Sequence, residues 1–154
     1  MKSVFKIVNI VGPVKGESSV GKIRVAFPSR AWLIRRFIDG EARFAFEGRG
    51  PKLADAVPFD TFQSEGFSHR GEDCTFETLR KEFSIQDPRV AALAGIVHDA
   101  DLGDGKFARP EGIGLDRVLI GWAQQGVSDE ELMRRGMELI EGLYHSLRKT
   151  PPSQ

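Results

Sequence analysis

Apolar residues recur along the chain with two different periods, and the change of period divides it. Near the N-terminus Val4, Phe5, Ile7, Val8, Ile10 and Val11 form a β-branched run, which predicts a short strand. The run ends at Gly12-Pro13, and a polar, glycine-rich loop continues to Gly21. Val25-Ala26-Phe27 predicts a second short strand, stopped by Pro28. Residues 31–37 (AWLIRRF) predict a helix with Trp32, Ile34 or Leu33, and Phe37 on its apolar face, ended by Gly40 as a C-terminal cap. Arg43-Phe44-Ala45-Phe46 alternates with period two and predicts a strand. Val57-Pro58-Phe59-Asp60 predicts an edge strand, because proline has no N–H to give an interior ladder.

From residue 74 the period becomes helical. Phe76, Leu79 and Phe83 share one face of a short helix. Asp87-Pro88 is a start signal, with Asp as N-cap and Pro at the first helical position. Behind it Val90, Leu93, Ala94 and Val97 stand at i, i+3, i+4 and i+7. Pro110 predicts the opening of another helix, with Leu115, Val118, Leu119 and Trp122 as its stripe. Ser128 and Glu131 have capping-box spacing, and Leu132, Gly136, Leu139, Ile140, Leu143 and Leu147 line one face of the helix that follows. The expected fold is α+β and predominantly helical, with short N-terminal strands before a helical half in a single domain. Residues 150–154 should form a disordered tail.

Composition narrows the function classes. At 154 residues the chain is about one domain long, enough for a core without metal or disulfide staples. Lys and Arg number 22, balanced by 22 Asp and Glu. That balance argues against direct nucleic-acid binding, which needs a basic face, and against adhesion to an acidic membrane. No apolar run approaches the ~20 residues that span a bilayer, and Lys6 and Asn9 interrupt any signal-peptide core. The lone Cys74 cannot form an internal disulfide, so a cytoplasmic location is expected.

Three stretches carry candidate chemistry. Gly16-Glu17-Ser18-Ser19-Val20-Gly21-Lys22 has phosphate-loop spacing. Ile23 follows where that loop needs a hydroxyl to hold Mg²⁺, so it reads as a polar loop. The second stretch is a polar cluster: Glu65, His69 and Cys74 precede one helix, and His98 and Asp101 share a face near the end of the next. Imidazole with carboxylate suits Zn, Fe or Mn, and a thiolate tilts the set toward zinc. The same residues have plain structural uses. Asp73 can cap a helix, His98 suits a helix C-terminus, and a lone Cys is a small buried hydrophobe. The third stretch is Arg35-Arg36, whose side chains point ~100° apart on a helix. One should face inward, toward a carboxylate such as Asp39 or Asp60, or toward a bound oxyanion.

Residues 31–39 (AWLIRRFID), 69–79 (HRGEDCTFETL) and 96–101 (IVHDAD) together resemble the C-terminal domain of the chromate resistance protein ChrB family. Phe107-Ala108-Arg109-Pro110-Glu111 and Gly142-Leu143-Tyr144 look like the same family. The likeness implies a ChrB-like domain over residues 25–149, after a short extension of residues 1–24. Its matching polar positions are Arg35, Arg36, Asp39, His69, Cys74, Asp101 and Glu111. Where the family pattern places an Asp-Arg pair before the tryptophan helix, this chain has Phe27-Pro28-Ser29-Arg30. Full-length relatives are implicated in chromate-responsive transcriptional control through an added N-terminal region thought to contact DNA. The resemblance therefore implies the sensing or effector half.

The expected function is a chromate-resistance domain that binds a divalent metal or an oxyanion such as chromate in a sensory or regulatory role. His69, Asp101, Glu65, His98 and Cys74 are the candidate metal ligands, and Arg35 and Arg36 the candidate oxyanion contacts. A metal-dependent hydrolase or redox enzyme built on His69 and Asp101 is one alternative. The other is an interaction module whose C-terminal helix docks a regulator or a second copy.

Overall fold

The computed structural model describes residues 7–10, 26–46, 57–58 and 73–147. Their order is β1 (Ile7–Ile10), α1 (Ala26–Leu33), a π-helical turn (Ile34–Ile38), β2 (Arg43–Phe46), β3 (Val57–Pro58), α2 (Thr75–Glu82), α3 (Pro88–Leu102), α4 (Glu111–Gln124) and α5 (Asp129–Ser146). The described chain is predominantly helical. Its strands form one small parallel sheet, ordered β2-β1-β3, with Ile7 opposite Arg43 and Val8 opposite Val57. Pro58 sits on the edge strand, where a missing N–H costs nothing. The glycine-rich loop before Gly21, the phosphate-loop-like residues 16–22 and the C-terminal tail lie outside the described residues.

The second predicted strand is instead the start of α1. Pro28 falls in its first turn, where backbone N–H groups have no intrahelical partner, so proline begins the helix. This start, earlier than expected, puts Ser29 and Arg30 on the buried face beside Ala31, Trp32 and Leu33.

The end of that helix also differs. Asp39, in extended conformation, is the C-cap, and its N–H bonds Ile34 O at 2.7 Å in the five-residue spacing of a π turn. Its carboxylate then accepts from Glu41 N at 3.0 Å, and Ala42 N reaches Asp39 O at 3.1 Å. Asp39, not Gly40, therefore turns the chain. The widened turn also shifts the helix faces. Ile34 stays buried while Arg35, Arg36 and Phe37 all come out to solvent. Neither arginine faces inward, against the sequence expectation.

The helical half follows its sequence signals. Asp87 caps α3 by accepting from Arg89 N at 2.8 Å, and Val90, Leu93, Ala94 and Val97 are buried behind it. In α4 only Leu119 of the predicted stripe is fully buried, and Val118 is exposed. Ser128 accepts from Glu131 N at 3.3 Å, but the Glu131 carboxylate turns to Arg134 and Arg135 instead of closing the capping box. Leu132, Met133, Gly136, Ile140 and Tyr144 are the buried residues of α5. Helix α3 packs against α1, α2, α4 and α5. Polar groups toward its C-terminal end meet Arg30 of α1 and Glu77 of α2. No helix among the described residues is long and apolar enough to cross a membrane.

Candidate functional site

Helix α2 begins where it does because of two side chains. Cys74 is extended, with φ −73° and ψ 167°, and its sulfur and the Glu77 carboxylate close a capping box. The Glu77 carboxylate accepts from Cys74 N at 2.8 Å. The sequence C-T-F-E thus performs as S/T-x-x-E does, with a thiol in place of the hydroxyl. This places Cys74 and Glu77 side by side at the buried start of α2.

Helix α3 packs on α2 and delivers His98 to the same spot. His98 is 0 % exposed. Its Nδ1 lies 2.8 Å from Glu77 Oε2, and its Nε2 lies 2.8 Å from Asp104 Oδ2. Asp104 can reach back because Gly103 ends α3 in the left-handed conformation, at φ 65°, and reverses the chain. The following loop is held by Asp99, whose carboxylate accepts from Phe107 N at 3.0 Å and Arg109 N at 2.8 Å. The Phe107 ring meets the His98 ring edge-on, with centroids 5.0 Å apart.

A second charged pair flanks the cluster. Arg30, fully buried on α1, donates to Asp101 Oδ2 at 2.8 Å. Asp101 is one turn beyond His98, as its spacing predicts, but its partner in this pair is a guanidinium.

These surroundings set the protonation states. Burial pushes the Cys74 thiol up to about 12; the Glu77 N–H and the Arg30 charge oppose that rise, and the Glu77 and Asp101 carboxylates reinforce it. Burial disfavours a charged His98, but the hydrogen bonds to Glu77 and Asp104 outweigh it and raise its pKa. The His98 bond, helped by Lys106 N, holds the Asp104 carboxyl below its usual range.

Ligand atoms of Cys74, Glu77 and His98 all lie within 4.8 Å of one another, and all three residues are buried. His98, Asp99 and Asp104 make a second such group on the other side of the ring. Soft sulfur, imidazole and carboxylate on one spot form a donor set for a borderline transition-metal cation.

Of the residues singled out in the sequence, Cys74 and His98 come together here. Asp101 stands beside them in its pair with Arg30. Glu65 and His69 lie outside the described residues. Asp73, a candidate cap, pairs instead with Lys81 at 2.5 Å, and Glu111 pairs with Arg109 at 3.0 Å. Arg35 donates to Ala42 O at 3.1 Å and stacks over Phe44, and Arg36 pairs with Glu141 at 3.4 Å. Arg35 also lines a cavity of about 410 Å³, but Glu130, Glu138 and Glu141 line it too. Arg134, the other guanidinium in its lining, is held by Glu131 and Glu138, and three carboxylates against two arginines do not favour an oxyanion there.

Sequence reasoning missed Glu77, Asp104 and Arg30. The capping-box spacing of Cys74 and Glu77 was a readable signal. Asp104 carried none, because it returns to His98 around a loop. Arg30 was hidden by the reading of residues 25–27 as a strand.

A family model described as ChrB, C-terminal domain, matches residues 22–147. Protein ChrB of Cupriavidus metallidurans is 34 % identical over 116 residues, which cover 74 % of this chain and 35 % of that protein. The chain thus spans about a third of that relative's length. No solved structure matches it.

Proposed function

The chain belongs to the family of ChrB C-terminal domains, and on that premise we propose that it is a ligand-sensing domain serving chromate resistance. Its ligand is a divalent transition-metal cation held by Cys74, Glu77 and His98. The observation that carries this reading is the close approach of those three buried donor groups. Charge supports a cation over an oxyanion. Among the described residues, Glu77, Asp99, Asp101 and Asp104 lie around His98 and Cys74, and the guanidinium of Arg30 beside them is already held by Asp101.

Thiolate and imidazole together favour zinc, with iron or manganese as harder alternatives. Binding releases the Cys74 proton and the His98 Nδ1 proton to solvent, so the two charges of the cation replace two protons and the net charge of the site is unchanged. Asp101 serves as the counter-charge that fixes Arg30 beside the sulfur. Candidates to complete the shell are His69, in the same family-like segment as Cys74, and Glu65, four residues before His69. Position supports a regulatory role, since a cation here would tie α2 to α3, and α3 touches every other large helix.

Cobalt(II) titration tests the reading. Wild-type protein should take up one equivalent and develop a thiolate-to-metal charge-transfer band, which Cys74→Ser should abolish. Saturation without that band, or no uptake by the wild type, would refute the assignment.

A further inference from the structure

We propose that Asp104 is the positioning residue of this centre: by accepting the Nε2 proton of His98, it presents Nδ1 as the metal-binding nitrogen. The inference rests on the reading of Cys74, Glu77 and His98 as ligands. It adds which face of the ring binds and what fixes that face.

The ring of His98 has two chemically different sides. Nδ1 looks toward Glu77 and, past it, Cys74. Nε2 looks outward to Asp104, whose side chain is 45 % exposed. Either nitrogen of a neutral imidazole can coordinate, and the choice is made by whatever the other nitrogen donates to. A carboxylate at 2.8 Å is the strongest acceptor available for that bond. Nδ1 faces the Glu77 carboxylate at the same 2.8 Å, so in the metal-free ring both nitrogens can carry hydrogen. A cation beside Cys74 and Glu77 takes the place of the Nδ1 proton while Asp104 keeps hydrogen on Nε2.

The chain invests several contacts in keeping Asp104 there. Gly103 and Gly105 both have φ of +65°, which lets the loop fold back on the helix end. Asp104 Oδ1 also accepts from Lys106 N at 3.1 Å, which fixes the carboxylate plane. Asp99 anchors the loop through the Phe107 and Arg109 amides. Phe107 closes over His98 and packs on the bare backbone of Gly95, where a Cβ would come within 3.2 Å of the ring. Helix α3 thus supplies the ligand, and the loop after it supplies the orientation.

The test compares zinc affinity and ring tautomer in the full chain and its Asp104 variants. Asp104 stands on a loop with its side chain partly in solvent, so its replacement should leave the fold intact, which circular dichroism checks. Asp104→Ala should weaken zinc binding by about 10–100-fold, the usual loss for such a partner. Asp104→Asn should fall between, and Asp104→Glu should recover part of the loss. Long-range ¹H–¹⁵N correlation on the zinc-loaded wild type should show His98 protonated at Nε2 and metal-bound at Nδ1. Zinc on Nε2, or equal affinity in wild type and Asp104→Ala, would overturn this inference while leaving the metal site standing. If the wild type binds no zinc, both readings fall together.

Discussion

Glu77 Oε2 lies 2.8 Å from His98 Nδ1, joining the first turn of α2 to the last turn of α3 across 21 positions of chain. The same oxygen accepts the Cys74 N–H, so one carboxylate both caps a helix and pairs with a buried histidine ring. Removing it strands two polar groups at once. Glu77→Ala should destabilise the metal-free protein by roughly 3–5 kcal/mol, the range for breaking a buried pair from one side. Glu77→Gln keeps an acceptor and the packing, and should cost less. Urea unfolding checks both, and a loss under about 1 kcal/mol for Glu77→Ala would contradict this role.

Arg30 and Asp101 form the second buried contact between distant segments, with the guanidinium wholly enclosed. Arg30→Met should be milder than Asp101→Ala, because the latter leaves a positive charge without its carboxylate. The double variant should recover stability relative to Asp101→Ala alone. A double-mutant cycle by chemical denaturation reads the coupling, and strict additivity would show that the pair does not interact.

Three glycines in the helices give a graded packing test. A Cβ on Gly112 would lie 2.6 Å from Ile96 O, and one on Gly136 would lie 2.6 Å from the Pro28 ring. Alanine at either position should cost about 1–3 kcal/mol through overpacking. Gly114 has nothing within 4 Å of such a Cβ. There alanine should be neutral or stabilising by up to about 1 kcal/mol through helix propensity. Thermal melts of the three variants should therefore separate by sign.

Asp87 predicts an acid-side loss of stability. Burial alone would raise its pKa, but the Arg89 guanidinium, the Tyr144 hydroxyl and the Arg89 N–H hold it down at about 2, from an ordinary 3.8. A lowered carboxyl favours the folded state above its unfolded pKa and loses that contribution as pH falls through the folded one. Stability should thus drop between pH 3.8 and about 2. Asp87→Asn should flatten that part of the profile, and an unchanged slope in urea titrations would refute the assignment.

The helical half was legible because its signals are local. Asp87-Pro88, Ser128 and the spacing of Val90, Leu93, Ala94 and Val97 each act within a turn or two of chain. The π turn was not, since a five-residue hydrogen bond at Asp39 leaves no periodic trace and turns both Arg35 and Arg36 outward. Pro28 misled because proline ends strands and also starts helices. At the candidate site, Cys74 and His98 were visible as residue types. Glu77 and Asp104 reach His98 only through helix packing and loop reversal, which one-dimensional spacing does not encode.

One metal ion held by Cys74, Glu77 and His98 has a distinctive ligand shell. Zinc-edge X-ray absorption on the zinc-loaded full chain tests it most directly. One sulfur at about 2.3 Å and nitrogen or oxygen neighbours at about 2.0–2.1 Å are expected, with the sulfur lost in Cys74→Ser. A shell of nitrogen and oxygen alone in the wild type would contradict it.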